Sequence, residues 1–231
     1  MTKVRDSVKR EIIVDAPLEK VWDALTKPEH LNRWYTKEAN MDFRVGGKGY
    51  MNHGWGATSE GMYTEIEAMN RFVLQSFDGN FATITELEKV ENGIKVSIEY
   101  RAPFINEMDV ASKENMLFGT GQFLANLKAV YESGQDNRQH FWQTWIGVTH
   151  TSMVGGGTKI VSVIEDSNAA KAGLLAGDIV NELDGEPVLG YESFERLVNN
   201  KAINQTVQLK IVRDKEEFAL TCEVAAYPVA Y

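Results

Sequence analysis

Two groupings of residues in this chain are of types that can do chemistry. The first lies in the stretch QTWIGVTHTSMVGGGTKIVSV, where Trp145, Ile146 and Gly147 stand directly before an extended run. A glycine lets the backbone bend so that successive N–H groups converge, and such a nest can hold a carboxylate. The strand after it, residues 148–151 with Val148, Thr149 and His150, offers an edge to which an extended peptide can pair. The other reading is a hairpin whose aromatic packs into the core. The second grouping is His53 in YMNHGWGATSEG, with Glu60 and Glu65 not far along the chain. A histidine beside a carboxylate can serve as general base and acid. A polar rim around a ligand pocket is the simpler reading.

Other chemistry finds no residues to carry it. There is no G-x-S-x-G elbow. Gly46-Gly47-Lys48-Gly49 lacks both the upstream glycine and the Ser/Thr after lysine that a phosphate loop needs, and reads as a hairpin turn. The four histidines, His30, His53, His140 and His150, show no H-E-x-x-H or i,i+4 pairing, so no metal ligands are assigned. His30 falls at the end of a helix. A single cysteine, Cys222, leaves no internal disulfide and no cysteine zinc cluster. No catalytic residue and no cofactor is expected.

Composition bounds the partners. A net charge of -9 argues against nucleic acid, which calls for a basic stripe. No run of about 20 apolar residues exists to span a membrane. The charged opening MTKVRDSVKREIIV has no apolar signal region, and the expected location is cytoplasmic. With 43% hydrophobic and 25% charged residues the 231-residue chain can build proper cores, on a scale of roughly 100–200 residues per domain.

The elements that must position these groups differ between the two halves. VKREIIVDA is a short strand. A helix follows, with Asp15 as N-cap, Pro17 near the first helical position and Val21, Trp22 and Leu25 on one face. Pro28 ends it, and a second turn carries Leu31 and Trp34. A meander of strands comes next, clearest in GIKVSIEY, where Ile94, Val96, Ile98 and Tyr100 alternate with polar residues. A long helix, residues 113–133, follows. It contains Gly119 and Gly121, each costing about 1 kcal/mol against alanine. Either its backbone lies close to a sheet, or side chains are absent there to leave a cavity. This order predicts an α+β sheet curling around its last helix.

APLEKVWDALTKPEHLNRWY, DFRVGGKGYM, EGMYTEIEAMNRFVLQSF and the glycine-bearing helix together resemble the START-like helix-grip superfamily. The branch they resemble most is the one named after the activator of the heat-shock protein 90 ATPase. The resemblance implies an antiparallel sheet wrapped around the long helix, with a cavity between them. Trp34, Phe43, Met51 and His53 would line it from the sheet side, with Trp55 and Phe77; Met116 and Phe123 would line it from the helix. In that superfamily such cavities hold small hydrophobic ligands, and some members are cyclases.

From about His140 the texture changes. SNAAKAGLLAGDIVNELDGEPV, followed by the helix YESFERLVNN and two closing strands, resembles a PDZ domain of the bacterial HtrA/Deg type, a small β-sandwich or partial barrel with two helices. The resemblance makes Trp145-Ile146-Gly147-Val148 the carboxylate-binding loop, and Phe194 and Leu197 part of the pocket for the last ligand side chain.

The expected organisation is a helix-grip domain over residues 5–137 and a PDZ domain over 138–231. The expected function is binding: a C-terminal peptide of a partner protein in the second domain, and a small hydrophobic ligand or a protein surface in the first. Alternatives are a cyclase- or hydratase-like enzyme tethered by its PDZ domain, and a co-chaperone adaptor. The ending AAYPVAY is of a kind a PDZ groove accepts, which would give self-association, although packing as an edge strand is the commoner fate.

Overall fold

Runs of four to eleven residues in about the first hundred positions pair into one antiparallel sheet. The computed structural model describes residues 6–229 and 231; residue 5, at the expected start of the first domain, and Ala230 of the tail lie outside the described residues. The elements in chain order are β1 (Asp6–Val14), α1 (Leu18–Thr26), α2 (Pro28–Leu31), β2 (Glu38–Met41), β3 (Lys48–Gly54), β4 (Ala57–Glu67), β5 (Arg71–Gln75), β6 (Ala82–Val90), β7 (Gly93–Ala102) and α3 (Glu107–Ser133). Then come β8 (Thr144–Trp145), β9 (Val148–Ser152), β10 (Thr158–Val163), α4 (Asn168–Lys171), β11 (Ile179–Leu183), β12 (Glu186–Pro187), α5 (Tyr191–Asn199), β13 (Thr206–Arg213), β14 (Glu216–Glu223) and β15 (Ala225–Ala226).

The chain folds as two compact units. One holds the residues up to Phe104, Leu117–His140 and the tail from Val229; the other holds Ile105–Met116 and Phe141–Pro228. The division differs from the expected 5–137 and 138–231 in three ways, the last being that the tail from Val229 groups with the first unit. Arg138 belongs with the first unit because its guanidinium, 5% exposed, is used up there. It pairs with Asp136 at 2.7 Å and donates to the carbonyls of Thr36 at 2.8 Å and Asn32 at 3.0 Å. The second difference is α3, which starts well before residue 113 and whose first turns group with the second unit. Asn106 and Asp109 explain the early start. Asn106 Oδ1 accepts from the Asp109 N–H at 2.9 Å, and the Asp109 carboxylate accepts from the Asn106 N–H at 3.2 Å, a reciprocal capping box.

In the first unit the seven strands lie in the order β1-β7-β6-β5-β4-β3-β2. The alternation in β7 buries Ile94, Val96, Ile98 and Tyr100 on the core face. Onto that face packs the later part of α3 through Phe123, Leu124, Leu127 and Val130, with Tyr100 Oη 2.6 Å from Thr120 Oγ1. Buried Asn126 ties the helix to the chain after α2, donating to the Trp34 carbonyl at 2.8 Å and accepting from the Asn137 N–H at 2.7 Å. Asp15 does not cap α1: Pro17 takes the N-cap position, and the Asp15 N–H donates instead to Glu132 at 2.7 Å. His30 falls in the last turn of α2, as expected, and its Nδ1 lies 3.0 Å from Tyr131 Oη.

In the second unit the sheet path is β14-β13-β11-β10-β9, with β12 beside β11, and β8 pairs β15 separately. Its core gathers Ile160, Val180, Leu183, Phe194, Leu209 and Ile211. The Gly-Asp before β11 gains a reason here. Asp178, 1% exposed, takes two hydrogen bonds of 2.7 Å from Arg213 and one from the Leu175 N–H. Such a paired buried carboxylate is retained because losing one partner would strand the other's charge.

Gly121 settles part of the question raised by the helix glycines. A β-carbon added there meets nothing within 4 Å, so close approach to the sheet is not its reason. Gly121→Ala is therefore expected to raise stability by about 0.5–1 kcal/mol, the full propensity gain. Urea unfolding of the full chain checks it, and a lowered midpoint would show that the position is crowded after all.

Candidate peptide groove and buried cavity

The Trp145–Val148 loop is built by its neighbours. Gly147 has φ +91, a conformation L side chains rarely adopt, and a β-carbon there would stand 2.3 Å from Ser167 Cβ. The carbonyls of this loop are taken from one side: Gly147 O accepts from the Ile164 N–H at 2.9 Å and from Ser167 Oγ at 3.3 Å, and Ile146 O accepts from the Ala169 N–H at 2.9 Å. Among the described residues the amides of Ile146 and Gly147 have no intrachain acceptor. They are the donors an incoming carboxylate needs.

Beside the loop, β9 is the edge strand of its sheet and faces α5. A groove of about 310 Å³ lies there, within the range of small-ligand sites. Trp145, Gly147, Val148, Thr149, His150 and Phe194 border it. Ile146 also touches it, although its side chain is 2% exposed and sits in the core. Leu197 is different: it packs against the core cluster, and the groove wall is made instead by Tyr191, Glu195 and Val198. The helical period that puts Phe194 and Val198 on one face turns Leu197 away from the groove. Trp145 is half-buried, its ring 5.8 Å from that of Tyr227, so it forms a wall of the groove and leaves it open.

His150 is fixed on every side. Its ring stacks on Tyr191 at 4.2 Å and meets Phe194 edge-on at 4.7 Å. Its Nδ1 lies 2.8 Å from Thr158 Oγ1, whose hydroxyl is also 3.0 Å from the Thr151 carbonyl, and its Nε2 lies 2.9 Å from Glu195 Oε1. Burial pushes the Tyr191 phenol far above its ordinary range, which keeps it a neutral donor. Cys222, at the far side of this unit, is 1% exposed, and burial raises its thiol to about 11, so it is a core residue.

The first unit holds much less space. The cavity beneath its sheet is about 50 Å³, room for a water or two, where ligand pockets span roughly 300–1,000 Å³. Trp34 and Met51 line it. The remaining residues expected there do not. Phe43 packs edge-on to Trp22, Tyr63 and Phe72. His53, Trp55 and Phe123 form a second aromatic cluster with Tyr35. Phe77 is 57% exposed in the turn after β5, where its ring lies under Lys48 Nζ. Met116 groups with the other unit. Tyr231 lies on Trp55 of its own chain, ring centroids 4.7 Å apart, while Ala225 and Ala226 form an edge strand with β8.

No acid–base pair assembles at His53. Its Nε2 is 2.9 Å from Ser59 Oγ, Glu65 is bound to Arg71 at 2.7 Å, and Glu60 is exposed on β4. Among the described residues no group of three or more His, Cys, Asp or Glu could hold a metal ion. None of the described helices is long and apolar enough to cross a membrane.

The family model of the Activator of Hsp90 ATPase homolog 1-like proteins matches residues 15–132, just over half of the chain. The chain belongs to that family. A second model, that of the PDZ domain, matches residues 144–224. Among solved structures, a protein of Staphylococcus saprophyticus (SSP2350) is 18% identical with a TM-score of 0.50, over 58% of this chain and 96% of that one. The Aha1 dimer protein of Colwellia psychrerythraea is 22% identical with a TM-score of 0.48, over 56% and 98%. At such identities the likeness is one of fold. Among curated proteins, a probable periplasmic serine endoprotease DegP-like of Pseudomonas savastanoi pv. phaseolicola is 32% identical over 72 residues, 31% of this chain and 15% of its own length. A carboxy-terminal-processing protease of Bartonella bacilliformis is 34% identical over 70 residues, 24% of this chain and 16% of its own. The chain thus spans about 15% of the length of the curated relatives it matches.

The first turns of α3, residues 107–112, go beyond the helix expected from the sequence, and Met108, Ala111 and Ser112 of them border the groove together with Asn115. The Asn106–Asp109 capping box was the signal for them.

Burial pulls the His53 imidazole from its ordinary 6.5 down to about 4. The unfolded chain takes up a proton there, as pH falls through that window, which the folded protein refuses, so stability falls with it. From about pH 7 to about pH 5.5 the loss amounts to about 1 kcal/mol. His53→Gln is expected to remove that increment in paired urea melts. The same pH slope in both proteins would refute it.

Proposed function

We propose that this chain is a non-catalytic binding protein whose second unit captures the C-terminal carboxylate of a partner polypeptide. The observation that carries this is the loop at Ile146 and Gly147, with two buried, unengaged amides beside the open edge of β9. A peptide laid antiparallel to β9 would place its terminal carboxylate on those amides and its last side chain against Phe194 and Val198. Thr149 and His150 would flank the residues before it. The cyclase reading gains no support from the neutral, buried His53 or from a cavity of about 50 Å³, and the same small volume weakens the reading of a bound hydrophobic ligand.

The test uses the full chain and a library of peptides, each as the free acid and as its C-terminal amide. Free acids are expected to bind at least about tenfold more tightly, because amidation removes the charge and replaces one of the two acceptor oxygens with a donor. Equal binding of acid and amide would sink the proposal.

Family membership favours a second reading, in which the first unit docks on a chaperone ATPase. That reading expects the purified chain to change the steady-state ATPase rate of an Hsp90-type chaperone, and an unchanged rate would dispose of it.

A further inference from the structure

The far end of the groove is already occupied by the chain itself. In an antiparallel sheet, the amides of one strand alternate between the neighbour and the free edge. Met153 N–H bonds Gly157 O, and the Gly147 carbonyl accepts from the Ile164 N–H, so that carbonyl and the backbone of residues 149, 151 and 153 face β10, while the Gly147 amide, before the strand and at positive φ, does not follow the alternation. The amides of Val148, His150 and Ser152 therefore face the free edge, toward a ligand strand. The third of these is taken. Glu114, on the early turns of α3, accepts from the Ser152 N–H at 2.9 Å and from Thr151 Oγ1 at 2.7 Å, both on Oε2. Two more bonds close the same end: Tyr191 Oη donates to Asn115 Oδ1 at 3.0 Å, and the Tyr191 N–H donates to Ser152 Oγ at 2.9 Å.

We infer that Glu114 is a specificity-determining residue that limits the groove to the last three residues of a ligand. The inference rests on the carboxylate-binding reading above. A strand rises about 3.4 Å per residue, so a ligand anchored at Ile146 and Gly147 meets Val148 and then His150 within its last three residues. Its next backbone pair falls on Ser152, where the Glu114 carboxylate stands in the place of a ligand carbonyl. Upstream residues of a longer peptide leave the sheet edge at this point and add no strand pairing.

The experiment compares binding of N-acetylated free-acid peptides of three and of six residues, sharing the same last three, to the wild-type chain and to Glu114→Ala. On the wild type, lengthening is expected to change affinity by less than about twofold; on Glu114→Ala the six-residue ligands gain about tenfold while the three-residue ligands stay within about twofold. Glu114→Gln keeps the shape without the charge and should fall between. Amide exchange on the same samples should show β9 to β13 still protected, with Ser152 accelerated. An equal gain with length on wild type and variants overturns the inference, as does an unaltered Ser152 exchange rate, while free-acid selectivity still stands. If free acids bind none of the proteins better than amides do, the groove reading itself falls and this inference falls with it.

Discussion

At Gly147 the backbone holds φ +91, with the Ser167 side chain filling the space where a β-carbon would stand. Much of the second unit's site depends on that contact. Ser167 also caps α4, accepting from the Ala170 N–H, and its hydroxyl reaches the Gly147 carbonyl. The start of α4 and the loop before β9 are therefore fixed against each other. Because the loop carbonyls are drawn toward α4 and β10, its amides point the other way. A buried, unpaired N–H costs free energy until something accepts from it, so the loop is polarised toward an anion without any basic side chain. No lysine or arginine stands among the described residues that border the groove, so backbone dipoles are what it offers a carboxylate.

The first unit solves a different problem. Its sheet and the later part of α3 enclose a space that is filled with rings: Trp22, Phe43 and Phe72 on one side, Tyr35, His53 and Phe123 on the other. Close-packed aromatic edges bury large apolar areas, and each good pair adds about 0.5–1.5 kcal/mol beyond area alone. His53 Nδ1 and Tyr63 Oη are buried without a hydrogen-bond partner, whereas other polar groups inside tie distant segments together. Asn126 links α3 to the Trp34 carbonyl, and Arg138 links the stretch after α3 to Thr36 and Asn32. Removing any one of these would leave a buried carbonyl or charge without its partner, which is dearer than never having made the bond.

How far the sequence alone could carry these conclusions depends on which kind of signal was present. Period-two alternation in β7 and the Gly-Asp pair before β11 are strong local patterns, and both units and their fold class are readable from such runs together with the family resemblance. The loop at Gly147 was readable for the same reason: only glycine suits that backbone. Rotation about a helix axis was harder. Leu197 and Phe194 are both apolar, only three residues apart and both packed in the core, yet only Phe194 also borders the groove. Phe77 shows the converse, an aromatic in a turn that the sheet leaves exposed. Cavity volume is the least readable quantity, because the same aromatic list describes a lined pocket or a filled one. The early turns of α3 were hidden because Met108, Val110 and Ala111 make too short a run for periodicity to register, and only the Asn106–Asp109 pair marked the start.

The edge of β9 combines two demands that pull against each other. To bind by strand addition, an edge must keep its amides available, and a long available edge invites unwanted pairing with other chains. The structure divides the strand between the two demands. Near Gly147 the amides are open and the last ligand residue finds an apolar wall at Phe194 and Val198. Two amides further on, a carboxylate from the same chain accepts the Ser152 N–H, and Tyr191 and Asn115 tie that end shut. A charge-assisted bond at that position is about twice as strong as the neutral bond a ligand carbonyl would offer. An incoming chain therefore gains nothing by extending past His150, whereas a terminal carboxylate gains at the loop. The recognition that results is of chain ends in preference to chain interiors, and it follows from where one glutamate sits relative to one glycine.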